Sequence, residues 1–117
     1  MTAAPIVFFD IAGPDLAVQR KFFADVFGWE SAPTGHVSAS VPPGKLPGFL
    51  RTDPAAVLLY FGVPDVTATL AQIVAAGGAI AVPRFEVKGV VVLGLFTEPS
   101  GNQLGLVEMD GDKPRIP

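Results

Sequence analysis

The chain has 117 residues, half of them hydrophobic, with 8 basic and 11 acidic side chains, a net charge of −3 and no cysteine. That length suits one domain with a sizeable core. Without cysteine there is no disulfide framework, no thiolate chemistry and no cysteine-containing metal knuckle, and without a basic stripe nucleic acid is not an expected partner. Every apolar run is broken by charge, Gly or Pro well short of the roughly 18 residues a membrane span needs. The start, Met1-Thr2-Ala3-Ala4-Pro5, lacks the basic opening of a secretory signal. A cytoplasmic protein is the expectation, with no membrane partner.

Residues 5–12 are apolar and rich in β-formers, and Gly13-Pro14 stops them, so a strand is expected there. Asp15 is placed to cap a helix over 16–27, where Leu16, Phe22, Phe23, Val26 and Phe27 recur at spacings of three and four. Gln19, Arg20 and Lys21 give that helix a wet side, and Gly28 suits its left-handed end. Strand-like stretches follow at about 35–41 and 46–51.

The same grammar then returns. Residues 56–63 read as a strand, Pro64-Asp65 as turn and cap, 66–76 as a helix, and Gly77-Gly78 as its stop. Pro14 and Pro64, Asp15 and Asp65, and Gly28 and Gly78 all stand fifty positions apart, which marks an internal repeat. Strands are expected at about 79–87, 89–97 and 102–108, with a Glu98-Pro99-Ser100-Gly101 turn between the last two. Residues 109–117 read as a loose polar tail. The expected organisation is a single α+β domain of two β-α-β-β-β modules. Module one covers about 5–54 and module two about 55–109, with a polar tail at 110–117.

The stretches FFDIAGPDLAVQRKFFADVFGWE (8–30), LLYFGVPDVTATLAQIVAAGG (58–78) and EPSGNQLGL (98–106) resemble the vicinal oxygen chelate superfamily, which includes glyoxalase I, extradiol dioxygenases and bleomycin-resistance proteins. The resemblance covers about residues 5–109, with Glu98 replacing the Asp of the usual Asp-Pro-x-Gly-Asn turn. It implies two βαβββ modules forming one open, cupped mixed-sheet barrel, and often a homodimer. Its active members hold one divalent metal with His, Gln or Glu from strands of both modules, and the metal acts as a Lewis acid.

In such proteins a ligand precedes each helix-capping Asp by seven residues, and another follows the Asn of the turn by three. Phe8, Leu58 and Gly105 occupy those places here, and none is a metal donor. The fourth ligand has no clear counterpart: Gly48-Phe49-Leu50 offer no donor, and Asp53 stands near the module boundary. No metal and no cofactor is therefore expected. His36, the lone His, reads as a partly exposed strand residue, with a ligand or general base as the alternative. Asp10, Glu86, Glu98 and Glu108 share no telling spacing and read mostly as solvated faces or caps.

Strand alternation that turns Phe8, Leu58 and Gly105 into the cup also turns Asp10, Tyr60, Gln103 and Val107 there. Phe9, Ile11, Leu59, Phe61, Leu104 and Leu106 are then core against the helices. The candidate binding residues are Phe8, Asp10, Leu58, Tyr60 and Gln103, apolar walls with few polar groups; alternatively, Phe8, Leu58 and Tyr60 fill the barrel. Arg51 reads as a surface residue, with a carboxylate at the cup mouth as the other choice, and Trp29 as a core seal. No catalytic residue is assigned. The favoured function is metal-independent binding of a small apolar or aromatic molecule. The alternatives are a small lyase, isomerase or dioxygenase-like enzyme with a non-standard metal or acid–base site, and a ligand-free structural or regulatory dimer.

Overall fold

The computed structural model describes residues 3–37 and 46–117. The end of the strand expected at 35–41 lies outside the described residues. Contacts divide the chain into two compact units, Phe8–Leu59, and Met1–Val7 with Tyr60–Pro117. No helix among the described residues is long and apolar enough to cross a membrane.

In the unit Phe8–Leu59, strand β1 (Ile6–Gly13) leads into helix α1 (Leu16–Phe27), followed by β2 (His36–Val37) and β3 (Gly48–Thr52). The Asp15 side chain accepts from Val18 N at 3.1 Å, satisfying one of the orphan donors of the first turn. Gly28 ends the helix at φ 70; its N–H donates to the Ala24 carbonyl at 3.0 Å, and Trp29 N donates to the Phe23 carbonyl at 3.1 Å. β1 runs parallel to β3 from Phe9↔Gly48 to Gly13↔Thr52, and β2 pairs antiparallel with β3. Phe9 packs on Trp29, and Trp29 stacks on Phe23 of α1 at 4.9 Å between centroids. Trp29 is thus half-buried in an aromatic cluster with Phe9 and Phe23. Arg20 holds the segment behind it by donating to the Ser31 carbonyl at 2.8 Å.

In the other unit the order is β4 (Ala56–Val63), α2 (Val66–Ala75), β5 (Ala79–Val87), β6 (Val91–Thr97), β7 (Gln103–Asp110) and β8 (Lys113–Pro114). β4 is parallel to β7, while β7–β6 and β6–β5 are antiparallel. The β5–β6 register shifts on both sides of Val82, next to Pro83, which has no N–H to give the ladder. Val63, Val66, Leu70, Phe96 and Leu106 form the core, with Phe61, Ile73 and Leu104 against it. Gly94 lets α2 sit close, since a Cβ there would stand 2.7 Å from Val66 Cγ1.

The class is α+β with mixed strand pairing, and the first strand of each module lies parallel to its last. The second module is a full β-α-β-β-β. The first shows β-α-β-β among the described residues. The expected Gly77-Gly78 stop follows α2, which ends at Ala75, with Gly77 left-handed at φ 99. One detail differs from expectation. The tail is not loose: β7 runs on to Asp110, β8 pairs back on it, and Gly89 N donates to the Pro117 carbonyl at 3.1 Å.

Candidate functional site

Each unit presents a polar cluster set in apolar surroundings. In Phe8–Leu59, Phe9 turns toward Trp29, so alternation sends Phe8 and Asp10 to the opposite face of β1. The parallel register sets Phe49 beside Asp10 and Arg51 beside Ala12 on that face. Asp10 is only 8% exposed, and Arg51 Nε donates to its Oδ1 at 2.7 Å. Arg51 Nη1 donates to Asp53. Partial burial pulls the Arg51 pKa down, but the hydrogen bonds and charges of Asp10 and Asp53 outweigh it and the net direction is up. His36 is exposed on β2 with its ring edge-on to Phe49. The result is an ion pair among aromatic rings, with an imidazole at the margin. Arg51 is therefore not an ordinary surface residue, and Asp10 is not a solvated carboxylate.

Phe8 is half-buried, Leu58 on β4 is 8% exposed and Tyr60 is 7% exposed. Tyr60 stands opposite Gly105 in the parallel β4–β7 pair, and a Cβ at Gly105 would overlap its ring. Gln103, expected in a binding pocket, is exposed at the start of β7 opposite Thr97.

The most elaborate electrostatic cluster centres on Glu108, which reads from sequence as a solvated face or cap. This carboxylate is 6% exposed. Arg84 grips it with two hydrogen bonds, Nη2 to Oε1 at 2.9 Å and Nε to Oε2 at 3.0 Å. Val66 N, at the start of α2, donates to Oε2 at 3.0 Å, and Arg115 Nε lies 3.2 Å from Oε1. The Arg84 hydrogen bonds hold the Glu108 pKa down at about 2, helped by the Val66 N–H and the Arg charges and opposed by burial. The same pairing raises the Arg84 pKa. Glu86 lies 3.4 Å from Arg84. Glu98 is a turn cap: it accepts from Ser100 N and from Asn102 Nδ2, and the Asn102 bond leads in lowering its pKa. Arg84 and Glu86, the two charges in the mostly apolar 79–87 strand, were the sequence signal for the Glu108 cluster.

Above the start of α2 lies a groove of about 910 Å³ walled by Pro5, Val7, Val63 and Met109, with Thr69 and Gln72 reaching in from α2.

The metal that the resemblance implies does not fit the residues present. Phe8 and Leu58 offer only hydrocarbon, and Gly105 offers no side chain and lies under the Tyr60 ring. Among the described residues no group of three or more His, Cys, Asp or Glu comes together to hold a metal ion.

The fold is that of the glyoxalase/bleomycin-resistance protein/dioxygenase, or vicinal oxygen chelate, superfamily. A superfamily member from Vibrio splendidus superposes with a TM-score of 0.64 at 15% identity, covering 92% of this chain and all of the other. A methylmalonyl-CoA epimerase solved with methylmalonyl-CoA gives 0.64 at 17% identity, over 97% of this chain and all of that one. No family model matches the chain. Among curated proteins it is 26% identical over 115 residues to a protein provisionally named glyoxylase CFP32 in Mycobacterium bovis and Mycobacterium tuberculosis. The match takes in 83% of this chain but only 42% of those relatives' length.

Proposed function

We propose that the chain is a small-molecule binding protein of the glyoxalase/bleomycin-resistance type that takes a small apolar or aromatic ligand without a metal. The observation that carries this reading is the substitution of all three assignable ligand positions by Phe8, Leu58 and Gly105, with the Tyr60 ring packed on the glycine. None of the three positions offers a metal donor, and apolar walls with a few fixed polar groups suit ligand binding. Asp10 is a poor candidate for a general base while Arg51 holds it, which weighs against the enzyme alternative. A cytoplasmic setting fits the missing cysteine.

The test is a thermal-shift screen of apolar and aromatic compounds on chelator-treated protein. The expected result is at least one compound that raises Tm equally with and without divalent ions. Phe8, Asp10, Leu58, Tyr60 and Gln103 are the residues to substitute one at a time against that compound, with loss of the shift expected. Stoichiometric metal in protein purified without chelator, or a library without a single stabilising compound, would sink the proposal.

A further inference from the structure

The groove above the start of α2 shares no residue with the set Phe8, Asp10, Leu58, Tyr60 and Gln103. It lies wholly within the unit formed by Met1–Val7 and Tyr60–Pro117. Small residues create it. Gly62 N donates to the Pro5 carbonyl at 2.9 Å, which holds residues 5–7 beside β4. A Cβ on Gly62 would stand 2.9 Å from both Val7 Cγ1 and Met109 Cγ, so those two side chains wall a floor of bare backbone. On the α2 side Ala68 adds only a methyl group. The space that remains, about 910 Å³, is of the size that takes a small molecule, roughly 300–1,000 Å³.

The polar groups of the groove offer acceptors. A helix start usually favours anions through its free N–H groups, but here Val66 N is taken by Glu108 at 3.0 Å and Ala68 N by Asp65 at 2.9 Å. Thr69 Oγ1 donates to the Asp65 carbonyl at 2.8 Å, which spends its proton and leaves oxygen lone pairs. The exposed Asp65 carboxylate gives one oxygen to the cap and keeps further acceptor capacity. Asp112 stands in the two-residue turn between β7 and β8, where Gly111 at φ 65 reverses the chain, and it is exposed at the groove. No Lys or Arg is among the described residues that line the space, and Arg84 and Arg115 are held on Glu108. An anion would meet two carboxylates, and a plain hydrocarbon would leave them unused. The complement is a cation with several N–H donors, no acceptor and an apolar body, which describes a protonated amine.

We infer that this groove is a second ligand site, one that takes a small apolar amine, with its ammonium group at the acidic rim of Asp65 and Asp112 and its hydrocarbon against Val7, Val63 and Met109. Binding there is independent of binding by Phe8, Leu58 and Tyr60.

The experiment titrates the 117-residue chain calorimetrically with octylamine, octanol and octanoate, which share a tail and differ in head group. Octylamine should saturate one site with a Kd at least about fivefold below that of octanol, and octanoate should bind weakest. Asp65→Asn, which keeps a good helix cap, and Asp112→Asn should each weaken octylamine about two- to fivefold. In the double variant the preference over octanol should disappear. Asp25→Asn removes the same charge from an exposed position on α1 and should leave the octylamine Kd unchanged. Ala68→Leu fills the groove with a good helix former and should abolish octylamine binding while Tm stays close to the parent. No saturable octylamine binding overturns the inference, as does an affinity no better than that of octanol. So does a preference that survives the double Asn variant, or binding retained in Ala68→Leu, which would place the amine elsewhere on the chain.

Discussion

The ring of Tyr60 lies over Gly105 of the neighbouring parallel strand, leaving no room for a Cβ. Phe9 does the same to Gly48 in the other unit. In each module, then, an aromatic on the first strand shields a glycine on the last, filling surface the glycine leaves bare. Gly105→Ala forces the ring aside, and overpacking of this kind costs about 1–3 kcal/mol. Tyr60→Ala opens a void and costs about 3–5 kcal/mol. The double variant should lose clearly less than the sum of the two, since the new methyl occupies part of the space the ring vacates. Urea denaturation of all four proteins measures the coupling; strict additivity would show that the ring does not press on residue 105.

Arg51 and Asp10 give a second coupled pair. Arg51→Met leaves the Asp10 carboxylate enclosed without its cation, and the expected loss is about 2–3 kcal/mol, below the full cost of breaking a buried pair because the Arg51 side chain is 32% exposed. Asp10→Asn in the Arg51→Met background should recover part of that loss by removing the stranded charge. Chemical denaturation of the single and double variants checks it. If Asp10→Asn worsens the Arg51→Met protein, the pair is not the main partner of the carboxylate.

Local signals carried much of this fold. Asp15 and Asp65 cap their helices through Val18 N and Ala68 N, and those caps, with Pro14, Pro64 and Gly28, made α1 and the start of α2 legible. Alternation also placed Phe61, Leu104 and Leu106 in a core. The charged clusters were another matter. Asp10 meets Arg51 across 41 positions and Arg84 meets Glu108 across 24, and no local spacing reports a contact made by strand pairing. The tail misled for a similar reason: its polar composition suggested a loose end, while β8 is fixed by backbone pairing, which side-chain composition does not encode.

The helix stops offer a cleaner comparison. Gly28 sits at φ 70, and a Cβ added there would meet nothing within 4 Å, so Gly28→Ala should cost only the conformational penalty, about 1 kcal/mol. Asp15→Ala should cost a similar ~1 kcal/mol by exposing the first-turn N–H groups. Both losses should appear as lower midpoints at unchanged m-value. A changed m-value would mean that either substitution reshapes the unfolded or folded ensemble rather than removing a local term.

Glu108 should dominate the acid side of the stability curve. Its folded pKa is about 2 against an ordinary 4.5, so the unfolded chain binds its proton first as pH falls. The stabilisation is fully present above pH 4.5, declines below it, and is gone once pH drops through the folded value near 2. The shift corresponds to something on the order of 2–3 kcal/mol. Glu108→Gln keeps the shape and the acceptor oxygen but not the charge that Arg84 and Arg115 share. The expected result is a variant less stable than the parent by about 2–3 kcal/mol at about pH 7, with the gap closing as both are taken toward about pH 2.5. The remaining carboxylates are common to both proteins and cancel in the difference. Urea midpoints at several pH values give the gap directly, and a gap that stays constant from about pH 7 to about 2.5 would show that Glu108 contributes by shape rather than by charge.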